Sequence, residues 1–330
     1  MMKKVISLFS IVVLLLATLT ACSGGELNTA SVVRVATIQG PTGIGMVHLM
    51  DANDDKATEN NYEFQAYPSP DAVVPLLMNQ SVDIAALPTN VAANYYNKTA
   101  ESKNGSIKLL AVNTLGVLYM LENGNTINSV KDLKGKTIYS TGQGANPEYI
   151  LNYILRGYGL SPETDVTIKF VSENTELASL MVSGEAAVAM VPQPVVSSIT
   201  TQKPDVRIAL SINDEWEAIA GEENKLMMGC VVVREEFLEK NPKLVKTFLK
   251  EYEAAIEKTS DVDTTAALCE EYGIIAKAPI AKKAIPYCEI TYVDGKTMKK
   301  QIAKYYNVLF ESKPQSIGSK LPDDEFYYVG

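Results

Sequence analysis

Two glycine-bearing turns hold the clearest potential for chemistry in this chain: Gln39-Gly-Pro-Thr-Gly43 and Thr141-Gly-Gln-Gly-Ala-Asn146. Each follows a short apolar run and precedes a helical pattern. A helix start exposes backbone amides and the positive end of the helix dipole, a setting that favours a negative or hydrogen-bond-accepting group. Gly43 and Gly144 lack a Cβ, so the backbone at either turn can approach a bound molecule closely. Around them, Gly40, Thr42, Thr141, Gly142, Gln143, Ala145 and Asn146 complete the turns, and their hydroxyl and amide groups add hydrogen-bonding capacity. Such groups bind small molecules; they do not break bonds. Gly142-Gln-Gly144 is not a dinucleotide fingerprint, because the third glycine of that pattern would fall on Pro147. The sequence contains no P-loop, no H-E-x-x-H and no G-x-S-x-G. Its single histidine, His48, falls on a predicted helix after Gly45, where a histidine is more often a packing residue than a base or ligand. No metal, no cofactor and no enzymatic activity are expected.

An internal repeat supplies the elements that must position these turns. Leu76–Pro88 lies over Leu180–Pro192 without a gap, at an offset of 104 residues, and the register extends upstream to Phe64 over Ile168. Each copy reads strand, polar loop, amphipathic helix, short apolar strand, proline. The first copy predicts strand 62–67, helix 71–79 and strand 82–87. The second predicts strand 166–171, helix 175–183 and strand 186–191. Entry strands at 32–38 and 137–140 precede the two turns. Short continuous apolar runs between helices suit a parallel sheet covered on both faces, so the fold class is α/β, built as two similar lobes.

Ligands of open α/β sheets bind beyond the carboxyl ends of the strands. That rule adds Ser69, Pro88, Thr89 and Asn90 in the first lobe, and Ser172, Glu173 and Gln193 in the second. Asn113 and Thr114 fall near the first passage between lobes. Trp216, the only tryptophan, falls near the second, where it either stacks on a planar ligand or packs in the core; packing is favoured. These loops carry no Arg or Lys. An anionic ligand would depend on amides, hydroxyls and dipoles, while a neutral or zwitterionic one fits equally well, with Glu173 available to an amine.

Farther on, 206–210 and 228–233 read as strands. Asn241 and Pro242 start a helix whose apolar face is Leu244, Val245, Phe248, Leu249, Tyr252, Ala255 and Ile256. Helices follow near 264–272 and 296–309, and 322–328 reads as a packed tail. Cys230, Cys269 and Cys288 give no disulfide framework. A Cys269–Cys288 bridge and three reduced thiols are both open, the latter favoured.

The chain has 330 residues and a net charge of −9. An acidic surface argues against nucleic acid and against anionic lipid as partners. Lys3 and Lys4, the apolar stretch 5–17 and small residues before Cys22 form a secretory-signal pattern too short to span a membrane. Leu19-Thr-Ala-Cys22 resembles the lipobox of a bacterial lipoprotein. This implies cleavage after residue 21, acylation of the Cys22 thiol, a flexible tether over 22–32 and an extracytoplasmic, membrane-anchored protein.

With that signal, the order Val33–Gly45, Ser81–Pro88, Asp132-Leu-Lys-Gly-Lys136 and Gly184–Pro194 resembles the substrate-binding lipoproteins of ABC importers. The nearest likeness is to the subfamily that binds nitrate, taurine, aliphatic sulfonates or thiamine precursors. The resemblance implies a type II periplasmic-binding fold, with the first lobe at 33–121 and 216–330 and the second at 122–215. It implies a monomer, a small-molecule ligand held in an interlobe cleft, and a permease and ATPase as partners. Two alternatives share the fold: an enzyme like those of the menaquinone pathway or the thiamine-pyrimidine synthases, and a surface ligand sensor.

Overall fold

The structure, a computed structural model, describes residues 32–100 and 105–330. Cys22, the signal and the tether up to residue 31 lie outside the described residues. The first part of the chain runs β1 (Val32–Ile38), α1 (Pro41–Ile44), α2 (Val47–Asp54), β2 (Asn61–Tyr67), α3 (Pro70–Met78), β3 (Ile84–Pro88), α4 (Thr89–Thr99) and β4 (Ile107–Thr114). The middle part runs β5 (Leu118–Asn123), β6 (Thr137–Ser140), α5 (Asn146–Gly157), β7 (Thr167–Phe170), α6 (Asn174–Ser183), β8 (Val188–Pro192), α7 (Val195–Gln202), β9 (Val206–Ser211) and α8 (Ile212–Ala220). The last part runs β10 (Gly229–Arg234), α9 (Glu235–Lys240), α10 (Pro242–Glu257), α11 (Val262–Glu271), α12 (Ala278–Ala284), β11 (Ile290–Asp294) and α13 (Gly295–Ser312).

The strands form two sheets, ordered β11-β4-β10-β3-β1-β2 and β7-β6-β8-β5-β9. Apart from the edge strand β11, the two orders correspond. The repeat read from sequence falls on β2-α3-β3 in one sheet and β7-α6-β8 in the other. In each sheet one interior strand runs against its neighbours: β10 is antiparallel to β3 and β4, and β5 is antiparallel to β8 and β9; the edge strand β11 is also antiparallel to β4. β5 and β10 each come from just beyond a passage between sheets, so the chain crosses twice, at 115–117 and at 221–228. β5 begins at Leu118, within the span that the sequence reading gives to the first lobe through residue 121.

Two-sided burial explains the composition of the central strands. Ile84, Ala85, Ala86 and Leu87 of β3 are fully buried, as are Cys230, Val231, Val232 and Val233 of β10, because helices cover both faces. The expected face of α10 is the buried one, from Val245 to Ile256. Asn241 does not cap that helix through its side chain; its Nδ2 donates instead to Phe237 O at 3.2 Å. Asp83, 2 % exposed, ties β3 to β1 and β10 by accepting from Arg34 at 2.6 Å and Arg234 at 2.8 Å. Burial alone would raise its carboxyl, but the bonds from the two guanidiniums and from the Arg34 amide hold it below the usual range.

Cys230, Cys269 and Cys288 are buried free thiols. His48 sits on α2, with its Nε2 2.8 Å from Thr265 Oγ1 on α11; burial lowers its pKa, as befits a packing residue. Phe326 is buried and the Tyr328 amide donates to Leu109 O, so the C-terminal tail is packed as expected. Among the described residues no helix is long and apolar enough to cross a membrane.

Candidate functional site

A cavity of about 730 Å³ opens between the two sheets, a size suited to a small molecule. Its first wall is Gln39 and Gly40, in the turn after β1, together with Ile274–Lys277 and Ile280 at the α11–α12 connection. The opposite wall is Asn174, Thr175 and Ala178 of α6, with Pro194, Val195, Ser198, Thr201 and Gln202 at and along α7. The turns after β1, β7 and β8 thus meet at the carboxyl ends of their strands, as the general rule for open sheets requires. Amides and hydroxyls line one side and three isoleucines the other. Lys277 is the only charged residue among the described residues that line the cavity, and no carboxylate faces it.

The first turn is built for this position. The Gly40 amide donates to Ile274 O at 2.9 Å, and the Gln39 amide to Tyr67 O at 2.8 Å. Gly43 is buried, and a Cβ there would stand 2.2 Å from Ile38 O and 3.1 Å from the Ile274 side chain. Its missing side chain therefore serves the packing of the turn rather than the approach of a ligand. Beneath the turn, Asn113 Nδ2 donates to Thr42 O at 3.0 Å and to the Tyr252 hydroxyl at 2.8 Å, and Thr114 Oγ1 donates to Asn113 Oδ1 at 3.0 Å. Thr89 Oγ1 donates to Met227 O at 2.7 Å and fastens α4 to the second crossing. Pro88 ends β3 opposite Gly229. Ser69 is half-buried at the start of α3. Asn90 lines a separate groove between α3 and α4 with Asp71 and Lys98. Of the first-lobe candidates, Gln39 and Gly40 line the interlobe cavity.

The second turn is self-satisfied. The Gly144 amide donates to Glu148 Oε2 at 2.6 Å, and Gly144 O accepts from the Tyr149 hydroxyl. The helix start that looked open to an anion already holds a carboxylate of the chain itself. Gly142 adopts φ 79°, and a Cβ there would meet the Pro147 ring at 2.9 Å. Gln143 and Ala145 are exposed. Asn146 is buried and donates to the Tyr305 hydroxyl at 2.8 Å. Thr141 reaches the cavity indirectly, by donating to Asn174 Oδ1 at 3.1 Å. Glu173 precedes α6 as an exposed residue, and the Ser172 amide donates to Glu176 Oε2 at 3.3 Å. Gln193 is buried and faces a smaller neighbouring cavity. Trp216 packs, as favoured: it is fully buried, its Nε1 donates to Asn224 O at 2.7 Å, and its ring lies 4.7 Å from that of Tyr153.

Sequence reasoning therefore missed Asn174, Thr175, the polar stripe of α7 and Lys277. Asn174 directly follows Glu173. Ser198, Thr201 and Gln202 recur at helical spacing from Val195, a signal that could have been read. Lys277 has no counterpart in the repeat and no local signature.

Fold and cavity together define a class of protein. Two mixed α/β sheets joined by two crossings around a cleft form the type II periplasmic-binding fold. Solved structures agree. An ABC transporter protein from Parabacteroides distasonis is 24 % identical, with a TM-score of 0.75, covering 90 % of this chain and 99 % of its own. The periplasmic aliphatic sulphonate binding protein SsuA from Escherichia coli is 16 % identical, with a TM-score of 0.67, covering 89 % and 95 %. The periplasmic nitrate-binding protein NrtA from Synechocystis is 12 % identical, with a TM-score of 0.54, covering 91 % and 75 %. No curated protein matches the sequence. The NMT1/THI5-like family model matches residues 63–262, and the chain belongs to that family.

Proposed function

We propose that this chain is the lipid-anchored, extracytoplasmic solute-binding component of an ABC importer. It captures a small polar or anionic molecule between its lobes and presents it to a permease driven by an ATPase. The cavity carries this reading, because its walls come from both lobes. A molecule bound there favours closure through contacts that the open form lacks. Lys277 without an opposing carboxylate favours an anionic group, and the isoleucine wall favours an apolar body beside it. The chain acts by binding, not turnover, and as a monomer. The anchor at Cys22 rests on the sequence pattern.

The test is a thermal-shift screen of the soluble form beginning at Ser23, against sulfonates, phosphonates, nitrate, carboxylates, thiamine precursors and amino acids. A saturable rise in melting temperature is expected for one anionic class, since the ligand binds only the folded state. Labelled fatty acid should enter the wild-type chain and not Cys22→Ala. Recovery of the mature chain from the cytoplasm, or chemical conversion of the bound molecule, would sink the proposal.

A further inference from the structure

A second cavity, of about 380 Å³, lies behind α7. Gln193, Val196, Thr200 and Ile208 line it from the second lobe, and Lys283 and Tyr287 from the first. No carboxylate faces it among the described residues. Gln193 is 2 % exposed, and its amide orientation is fixed: Oε1 accepts from Ser197 Oγ at 2.9 Å and from the Ser197 amide at 3.3 Å. Its Nε2 is left buried with no partner. A buried donor without an acceptor is costly and is rarely retained without a role. Lys283 spends one donor on Thr201 Oγ1, at 3.0 Å, and an ammonium has three. Tyr287 contributes a ring that is 44 % exposed, while its carbonyl accepts from the Tyr119 hydroxyl at 2.8 Å.

We infer that this cavity is a second binding site, for a small carboxylate with an apolar or aromatic body. The carboxylate takes the hydrogen bond of Gln193 and the charge of Lys283, while the body rests on Val196, Ile208 and Tyr287. The occupant touches both lobes, and α7 presents its other face to the larger cavity. The two sites are therefore coupled through closure, each raising the other's affinity by the same factor. This inference does not rest on the importer reading, since it needs only the two-lobed structure.

Fluorine NMR titration of the mature chain with fluorobenzoate tests it. Saturable binding to the wild type is expected. Affinity should fall at least tenfold in Gln193→Glu, which keeps the acceptor for Ser197 and replaces the free donor with a carboxylate. It should fall similarly in Lys283→Met, an exposed position where the fold is not at stake, and should hold in Lys277→Met, which alters only the larger cavity. Should Gln193→Glu fail to fold, Lys283→Met decides. Absence of saturable binding to the wild type overturns the inference. So does binding that Lys277→Met removes while Lys283→Met leaves it intact, or binding that none of the variants changes.

Discussion

Lys283 Nζ donates to Thr201 Oγ1 at 3.0 Å, joining α12 of the first lobe to α7 of the second. Beside it, Tyr119 on β5 donates to the Tyr287 carbonyl, and the two rings meet edge to face at 6.0 Å. These contacts form a clasp at the rim of the cavity, carried by the same 274–287 segment that supplies Lys277 and the isoleucine wall. Closure and ligand contact therefore depend on one stretch of chain. A single such hydrogen bond contributes about 0.5–1.5 kcal/mol. Lys283→Met should weaken binding of the principal ligand by about twofold to tenfold, mainly through faster release, while the melting temperature of the free protein changes little. Calorimetric titration checks the affinity, and small-angle scattering should show a more open ligand-free form. Unchanged affinity and unchanged scattering would show that the clasp does not govern closure.

Among the described residues, Lys277 is the only charge on the cavity wall. In a partly enclosed site, attraction to an anion 4 Å away is on the order of a few kcal/mol. Lys277→Met should cost an anionic ligand at least tenfold in affinity, spare a neutral analogue of the same shape, and flatten the salt dependence of binding. Titrations at low and high ionic strength read all three. Equal losses for the anion and the neutral analogue would mean that Lys277 shapes the wall without reading charge.

Local pattern made much of the fold legible. β1 and β6 occupy the expected residues, and the repeat marks β2-α3-β3 and β7-α6-β8 to within about two residues at each end, the usual uncertainty of element boundaries. The periods of these segments are set by burial on one helix face or both sheet faces, which sequence displays directly. The pairing of β5 with the second sheet was not legible, because pairing partners far apart in sequence leave no periodic trace; the return of β10 to the first lobe came from the family resemblance. The site was legible only at its first turn. Gln39 and Gly40, of the cavity lining, stood among the candidates because they follow a strand. The Gly142–Asn146 turn misled because its amide is occupied by Glu148, a partner within its own helix. Lys277 reaches the cavity through tertiary packing of a segment that the repeat does not cover.

Gly43 tests how tightly the first turn is specified. A methyl group at this position cannot coexist with Ile38 O at 2.2 Å, so Gly43→Ala must displace backbone. The expected cost is about 1–3 kcal/mol, typical of overpacking, together with loss of ligand binding as Gln39 and Gly40 move off the wall. Gly40→Ala meets no atom within 4 Å but strains a residue at φ 89°, ψ −162°, a region kept almost wholly for glycine, and should cost about 1–3 kcal/mol. Urea unfolding of both variants, with a binding measurement on each, separates clash from strain. A Gly43→Ala protein that matches the wild type in both respects would show that the turn relaxes freely.

Glu122 sets a pH limit on the second lobe. Its carboxylate, 4 % exposed, accepts from the Thr126 hydroxyl at 2.6 Å, from the amides of Thr126 and Ile127 at 2.8 and 3.1 Å, and from Arg207 at 2.7 Å. Burial alone would raise its pKa, but these bonds hold it down at about 2. The folded value lies below the unfolded one, so the stabilisation is fully present above the ordinary carboxylate range and is lost as pH falls from about 5 towards 2. Glu122→Gln should cost about 1–3 kcal/mol at neutral pH, by weakening charged hydrogen bonds at a buried site. Its melting temperature should then fall less steeply than that of the wild type on acidification, so that the two curves converge near pH 2. Parallel curves throughout would assign the acid sensitivity to other carboxylates.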